Sequence, residues 1–314
     1  VGGFMSNSRS DIWWSGDGGH SWTLRSTAPW QPRYFFPCLS TASGRLLVIG
    51  GAAVAGGTSL GDLWSSTDGG VSWNEVIVPQ VWGPRTSACA VALQSGIVLL
   101  MGGYWEQGGS GGPQSDVWLA MDDSQFFNVR LTSPWGSRVG STAAVLPSGR
   151  VVLIGGQSVE GYVGDVWSTT SYGARWTRMD GASLWEGRNG HMSAHVGPNI
   201  LVVGGADLSA NRDDVYLSRD RGRTWVRQSS DATGVGRYLG TMVAMEDGRV
   251  LLLGGADTDQ KPRNDVWVSD DLGATWEEAT AHAGWAPRTG LKAAVLADGT
   301  VVMVGGLDNS GDDW

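Results

Sequence analysis

Lysine is almost missing from this chain of 314 residues: only Lys261 and Lys292 occur, so 20 of the 22 basic residues are arginine. Charge of either sign is sparse, at 17% of residues, and the formal net charge is −9. So acidic a chain lacks the electrostatic footprint of a binder of nucleic acid or anionic membrane, and no nucleic-acid partner is expected. No run of 18 apolar residues occurs, so no membrane insertion is expected either. Cysteine is limited to Cys38 and Cys89, which form neither a disulfide framework nor a metal-ligand spacing. They lie five and four residues after an arginine, which in strands of period two points them to opposite sheet faces and excludes a bridge. Histidine occurs four times, as His20, His191, His195 and His282. His191 and His195, four apart in an expected strand, are about 13 Å apart by strand rise and cannot chelate one ion together. No metal and no cofactor are expected. The chain opens at Val1 within a repeat, so it is read as one domain of a larger protein or assembly.

What is abundant is glycine (49 residues) and tryptophan (18), in a composition 41% hydrophobic, which is enough for a core. Both excesses come from repetition. Gly-Gly pairs that end apolar runs start at 2, 50, 102, 155, 204, 254 and 305, a mean spacing of (305 − 2)/6, about 50 residues. Each is followed by Asp-x-Trp (Asp11–Trp13, Asp62–Trp64, Asp116–Trp118, Asp165–Trp167, Asp265–Trp267 and the closing Asp312–Trp314) or its variant Asp214–Tyr216. Nine residues on comes a second aromatic, at Trp22, Trp73, Phe127, Trp176, Trp225 and Trp276. Trp-x-x-Arg then follows, at Trp30–Arg33, Trp82–Arg85, Trp135–Arg138, Trp185–Arg188 and Trp285–Arg288, while Arg237 has Gly234 in the tryptophan position. These sets take up 16 of the 18 tryptophans and leave Trp14 and Trp105.

Each unit reads as four short strands with glycine-rich turns and no helical period, hence an all-β chain of four-stranded antiparallel blades. Complete repeats run about 30–79, 80–132, 133–182, 183–231 and 232–281. The two half-units left at the ends, 282–314 and 1–29, combine into one composite blade that closes a six-bladed β-propeller and removes its free sheet edges.

The Gly-Gly after an apolar strand, the aromatic in the third strand, the tryptophan in the fourth and the stretch Arg188-Asn189-Gly190-His191 resemble the kelch repeat. A second signature, Ser-x-Asp-x-Gly-x-x-Trp, is similar to the Asp-box turn of sialidases. It stands as Ser15-Asp17-Gly19-Trp22, Ser66-Asp68-Gly70-Trp73, Ser218-Asp220-Gly222-Trp225 and Ser269-Asp271-Gly273-Trp276, with degraded copies at Ala120-Asp122-Ser124-Phe127 and Thr169-Ser171-Gly173-Trp176. Its physical purpose is structural: the aspartate can accept turn N–H bonds, and the tryptophan packs between sheets.

The kelch resemblance implies that Arg33, Arg85, Arg138, Arg188, Arg237 and Arg288 surround one mouth of the channel, where guanidinium groups can grip carboxylates or sulfates. The competing reading pairs each arginine with the repeat aspartate of a neighbouring third strand. The longest loop after a Gly-Gly pair carries Tyr104, Trp105 and Glu106, and serves either as a ligand-contacting loop or as a plug over its own blade. The expected function is a non-catalytic binding or scaffold module for a protein partner or an acidic glycan, leaning to an extracellular or surface-exposed setting. The alternative is a carbohydrate-active enzyme of sialidase or sialic acid mutarotase type, drawing on Tyr34, Tyr238, Glu106 or Glu186 near that face.

Overall fold

A computed structural model describes residues 7–53, 58–77, 82–107, 110–121, 126–130, 132–179 and 185–308. Gly2-Gly3, Asp122, Ser124 and Asp312–Trp314 of the repeat motifs lie outside the described residues, as does the side chain of Phe127.

Among the described residues every element is a strand, and the pairing is antiparallel throughout. Six four-stranded units recur. In the third, Thr142–Val145, Val151–Ser158, Gly161–Thr169 and Thr177–Arg178 pair in chain order. The innermost strands of the first, second, fourth and fifth sheets are Cys38–Ser40, Cys89–Ala92, Met192–Val196 and Thr241–Ala244. The sixth joins Lys292–Val295 and Val301–Val304 to Asp11–Ser15 and Thr23–Thr27, so both ends of the chain share one sheet.

Second strands are the fully apolar runs, and they are buried on both faces because a sheet lies on either side of them: Leu46–Ala53 and Val250–Ala256 are buried at every position. Side chains from adjacent sheets interdigitate in six apolar clusters. One packs Val152 and Ile154 of the third sheet on Ile200 and Val202 of the fourth. Another packs Ile12 and Val302 of the sixth on Leu46 and Val48 of the first. Cys38 belongs to this last cluster and Cys89 to the one facing the third sheet, so the two thiols face opposite directions and both are free. Burial pushes each thiol up to about 12.

A backbone belt ties the sheets around the axis. Two residues after each repeat arginine the chain turns left-handed, at Phe35, Ser87, Gly140, Gly190, Leu239 and Gly290. The N–H groups there donate to the equivalent carbonyl of the preceding sheet: Ser87 to Phe35, Gly140 to Ser87, Leu239 to Gly190, Gly290 to Leu239, and Phe35 back to Gly290. A narrow channel of about 150 Å³ runs between the innermost strands, with Thr142, His191, Thr241 and Lys292 on its wall.

The Gly-Gly pairs have a similar role. Both glycines of each described pair have positive φ, as at Gly204 (62°) and Gly205 (93°). The second donates its N–H to the arginine carbonyl of the next sheet, as from Gly205 to Arg237 at 2.7 Å and from Gly306 to Arg33 at 3.1 Å. A Cβ on Gly204 would stand 2.1 Å from the Arg237 carbonyl oxygen. Gly204→Ala is therefore expected to lose at least about 2 kcal/mol of stability. Gly112→Ala, where nothing lies within 4 Å of an added Cβ, is the control and should unfold like the wild type in urea.

Candidate functional site: the arginine clamps and the ribbon face

The six repeat arginines do not line an open mouth. Their side chains are 0–2% exposed, and each guanidinium is enclosed in its own sheet. Arg33 forks onto Asp62, Arg85 onto Asp116, Arg138 onto Asp165, Arg188 onto Asp214, Arg237 onto Asp265 and Arg288 onto Asp11, with both nitrogens 2.5–3.2 Å from the carboxylate oxygens. Nη1 also donates to the carbonyl of the first Gly of the pair at 2.8–3.1 Å. In the second and third sheets Nη2 reaches the Trp82 and Trp135 carbonyls as well. This corrects the expectation of a ligand-gripping ring: a ligand anion would have to displace a buried carboxylate from its bidentate partner. Each aspartate lies in the third strand of the same sheet as its arginine, or immediately before it.

The rest of the repeat motif completes the clamp. The indole N–H of Asp-x-Trp donates to the same carboxylate at 2.6–3.0 Å in five sheets, from Trp13, Trp64, Trp118, Trp167 and Trp267. The guanidinium carbons of Arg33, Arg138 and Arg288 lie 5.5, 5.4 and 5.9 Å from the ring centroids of Trp30, Trp135 and Trp285. The tryptophans of Trp-x-x-Arg meet those just before the fourth strands edge to face, as Trp30 does Trp73 at 4.8 Å and Trp185 does Trp225 at 4.9 Å. Where Arg237 has no tryptophan three residues earlier, the bidentate pair and its glycine carbonyl are kept.

Electrostatics follow from this geometry. Burial alone raises the Asp11, Asp62 and Asp165 carboxyls, but the hydrogen bonds and charges of Arg288, Arg33 and Arg138 outweigh it and hold them below the ordinary 3.8. In the turns at the other end of the sheets, Asp17 accepts from the Ser21 N–H and hydroxyl and from Ser15, while the Gly19 N–H donates to Ser15 Oγ. Desolvation is again opposed and exceeded by these bonds, leaving the Asp17 carboxyl at about 2. His191 is buried with Nε2 2.9 Å from Thr142 Oγ1, and burial, then the Arg188 charge, pushes it down to about 3.

Tyr104, Trp105 and Glu106 lie in a β-ribbon and not in an irregular loop. Tyr104–Gln107 pairs with Ser110–Pro113 and, on its other edge, with Arg85–Thr86. Trp105 is half-buried over Gly83, where an added Cβ would meet the indole at 2.7 Å, whereas Tyr104 and Glu106 stay exposed. The residues considered for catalysis do not converge. Glu186 is 81% exposed with Arg212 at 3.8 Å, and the Tyr238 hydroxyl is taken up by Gln260. Tyr34 packs edge to face on Phe35.

Antiparallel four-stranded sheets closed in a ring, each bolted by an arginine, an aspartate and a diglycine, define a β-propeller of repeat type. The chain belongs to the kelch-repeat family: the family model described as the KLHDC2/KLHL20/DRC7 kelch-repeats domain matches residues 87–306. A similar protein is the "Rab9 effector protein with kelch motifs" of Rattus norvegicus, 28% identical over 192 residues that take in 54% of this chain and 49% of the relative. The chain thus spans about half the length of the curated relative it matches.

Two outcomes follow from the clamps. Arg138→Ala strands the Asp165 carboxylate and should cost roughly 3–5 kcal/mol of stability in chemical denaturation, without any ligand present. Because the clamp carboxyls of Asp11, Asp62 and Asp165 titrate below their unfolded value, their stabilisation is complete above that value and is lost as pH falls through the folded one. The thermal midpoint should change little from about pH 7 to 5 and drop progressively below about pH 4. A midpoint unchanged down to pH 2 would contradict the assignment.

Proposed function

We propose that this propeller is a protein-binding module that meets its partner with the Gly-Gly end of the second, third and fourth sheets. The observation that carries this reading is a set of exposed apolar side chains there: Tyr104 on the ribbon, Val159 in the third sheet and Leu208 in the fourth. A single partner requires a break in the ring's symmetry, and the ribbon is the longest extension of any described sheet beyond its Gly-Gly pair. Exposed aliphatic and aromatic groups beside exposed charge, here Glu106 and Glu186, are the composition of a protein contact surface. The rat relative's description as a Rab9 effector agrees with a protein partner. An acidic glycan held by the six clamp arginines has no support, since those groups are enclosed. The sialidase or mutarotase alternative loses the same arginines.

Rab9 is the first partner to titrate, by calorimetry against the wild type and the Tyr104→Ala and Leu208→Asp variants. The expected result is saturable binding, weakened at least tenfold in both variants with unchanged urea unfolding. Wild-type affinity in both would reject this face, and no heat of binding at all would reject a Rab9-like partner.

A further inference from the structure

Outside the six clamps the chain has sixteen basic residues (22 − 6), and eight of them fall between positions 150 and 227. One, Arg212, pairs with Asp207 and Glu186 near the Gly-Gly end. The other seven lie on the third and fourth sheets toward the opposite end, where turns join first to second and third to fourth strands. None of the seven forms an ion pair among the described residues. Four border one recess of about 550 Å³ or the smaller one continuous with it: Arg150 and Arg178 from the third sheet, Arg221 and Arg223 from the fourth. Met179, Ser168 and Thr177 complete the third-sheet wall. The one carboxylate on this wall, Asp220, is already occupied by Ser218, by the Arg223 N–H and by both polar groups of Thr224, at 2.6–3.1 Å.

The repeat itself shows that these arginines are not needed for the fold. At the positions of Arg219, Arg221 and Arg223 the first sheet has Thr67, Gly69 and Val71, and the sixth has Gly16, Gly18 and His20. Arg221 sits at φ 65°, a left-handed conformation that Gly69 (69°) and Gly18 (72°) adopt without strain. The third sheet departs in the same sense, with Ser171 replacing the turn aspartate and Arg175 following it. The third sheet thus loses a negative charge, both sheets gain arginine, and Arg221 is left-handed as Tyr172 (52°) and Leu272 (60°) are in the equivalent turns of the third and fifth sheets. By contrast, the recess between the fifth and sixth sheets at this same end is lined by Asp17, Glu246, Asp247 and Asp298, with Arg249 closed onto Asp247.

We propose that the arginine-walled recess between the third and fourth sheets is a second docking site, and that its occupant is a short acidic polypeptide segment of a partner protein. Guanidinium forks suit carboxylate and phosphate oxygens, and a recess between two turns admits an extended chain. The acidic turns elsewhere on this end limit the length of the occupant. A long nucleic acid or an anionic bilayer would have to lie across them, and repulsion acts over the ~8–10 Å range left by physiological screening. A segment of a few residues meets only the basic wall. This site does not depend on the Gly-Gly face proposed above.

The test is fluorescence anisotropy with a labelled eight-residue Glu/Asp peptide, unmodified and with one phosphoserine, on the whole chain. The key variant is Arg219→Thr/Arg221→Gly/Arg223→Val, which copies the first sheet's turn into the fourth and relieves the strain at position 221. Expected are saturable binding of at least one peptide, weakened at least tenfold in the triple variant and by added salt, but unchanged in Arg249→Ala and in Tyr104→Ala. The site is overturned by absence of saturable binding, or by binding that the triple variant leaves intact. Preference for vesicles of phosphatidylserine and phosphatidylcholine, or for a single-stranded 20-mer, over both peptides overturns the assignment of its occupant.

Discussion

A buried guanidinium without a carboxylate would be among the costliest groups to place inside a sheet, and this protein buries six of them. The fold tolerates them because both terminal nitrogens of the guanidinium are met by groups the repeat itself supplies, as Arg33 is by two carboxylate oxygens and a glycine carbonyl, with the indole N–H of Asp-x-Trp completing the acceptor side. The arginine carbonyl in turn takes the N–H of the preceding sheet's second glycine, so one residue joins two sheets as well as two strands. Arginine rather than lysine is needed for this geometry, because only a planar fork reaches both oxygens and the carbonyl at once. That requirement accounts for part of the arginine bias of the composition.

Each clamp depends on close backbone approach, which explains why glycine is so frequent. The Gly-Gly pairs combine positive φ with carbonyl oxygens at distances that leave no room for a Cβ. The backbone belt around the channel has the same left-handed residue in every sheet, yet accepts Phe35, Ser87 and Leu239 there as well as glycine. The difference lies in what is close: the pair is enclosed largely by backbone, whereas a belt glycine such as Gly290 or Gly190 meets chiefly the side chain of another belt residue, Phe35 or Leu239. Six copies of one constraint make a rigid ring, and individuality is left to the two ends, in the ribbon at Tyr104–Pro113 and in the arginine-rich turns of the third and fourth sheets.

The strand pattern, the Gly-Gly pairs and the tryptophan register were legible in the chain because each is a local signal repeated at fixed spacing. The opposite facing of Cys38 and Cys89 followed from their offset of one residue relative to the repeat arginines. The role of those arginines did not follow. In five of the six sheets the arginine and its aspartate are separated by 26–31 residues, as Arg188 is from Asp214 and Arg85 from Asp116, and in the sixth Arg288 and Asp11 are 277 apart. Spacing does not reveal whether a guanidinium turns inward to that aspartate or outward to a ligand. Trp105 shows the same limit, since its packing on Gly83 depends on a ribbon pairing with Arg85–Thr86 that no local pattern announces.

Sequence by itself determined the all-β class, the repeated four-strand unit and the identity of the residues that recur in it, because hydrophobic period, glycine and aromatic spacing are properties of neighbours along the chain. Tertiary structure alone decided which recurring charges are neutralised in the interior and which stand unpaired at the surface. Twenty arginines look alike in a sequence. Only the folded ring places an aspartate and a carbonyl against six of them and leaves Arg150, Arg178, Arg221 and Arg223 along one recess without an ion pair among the described residues.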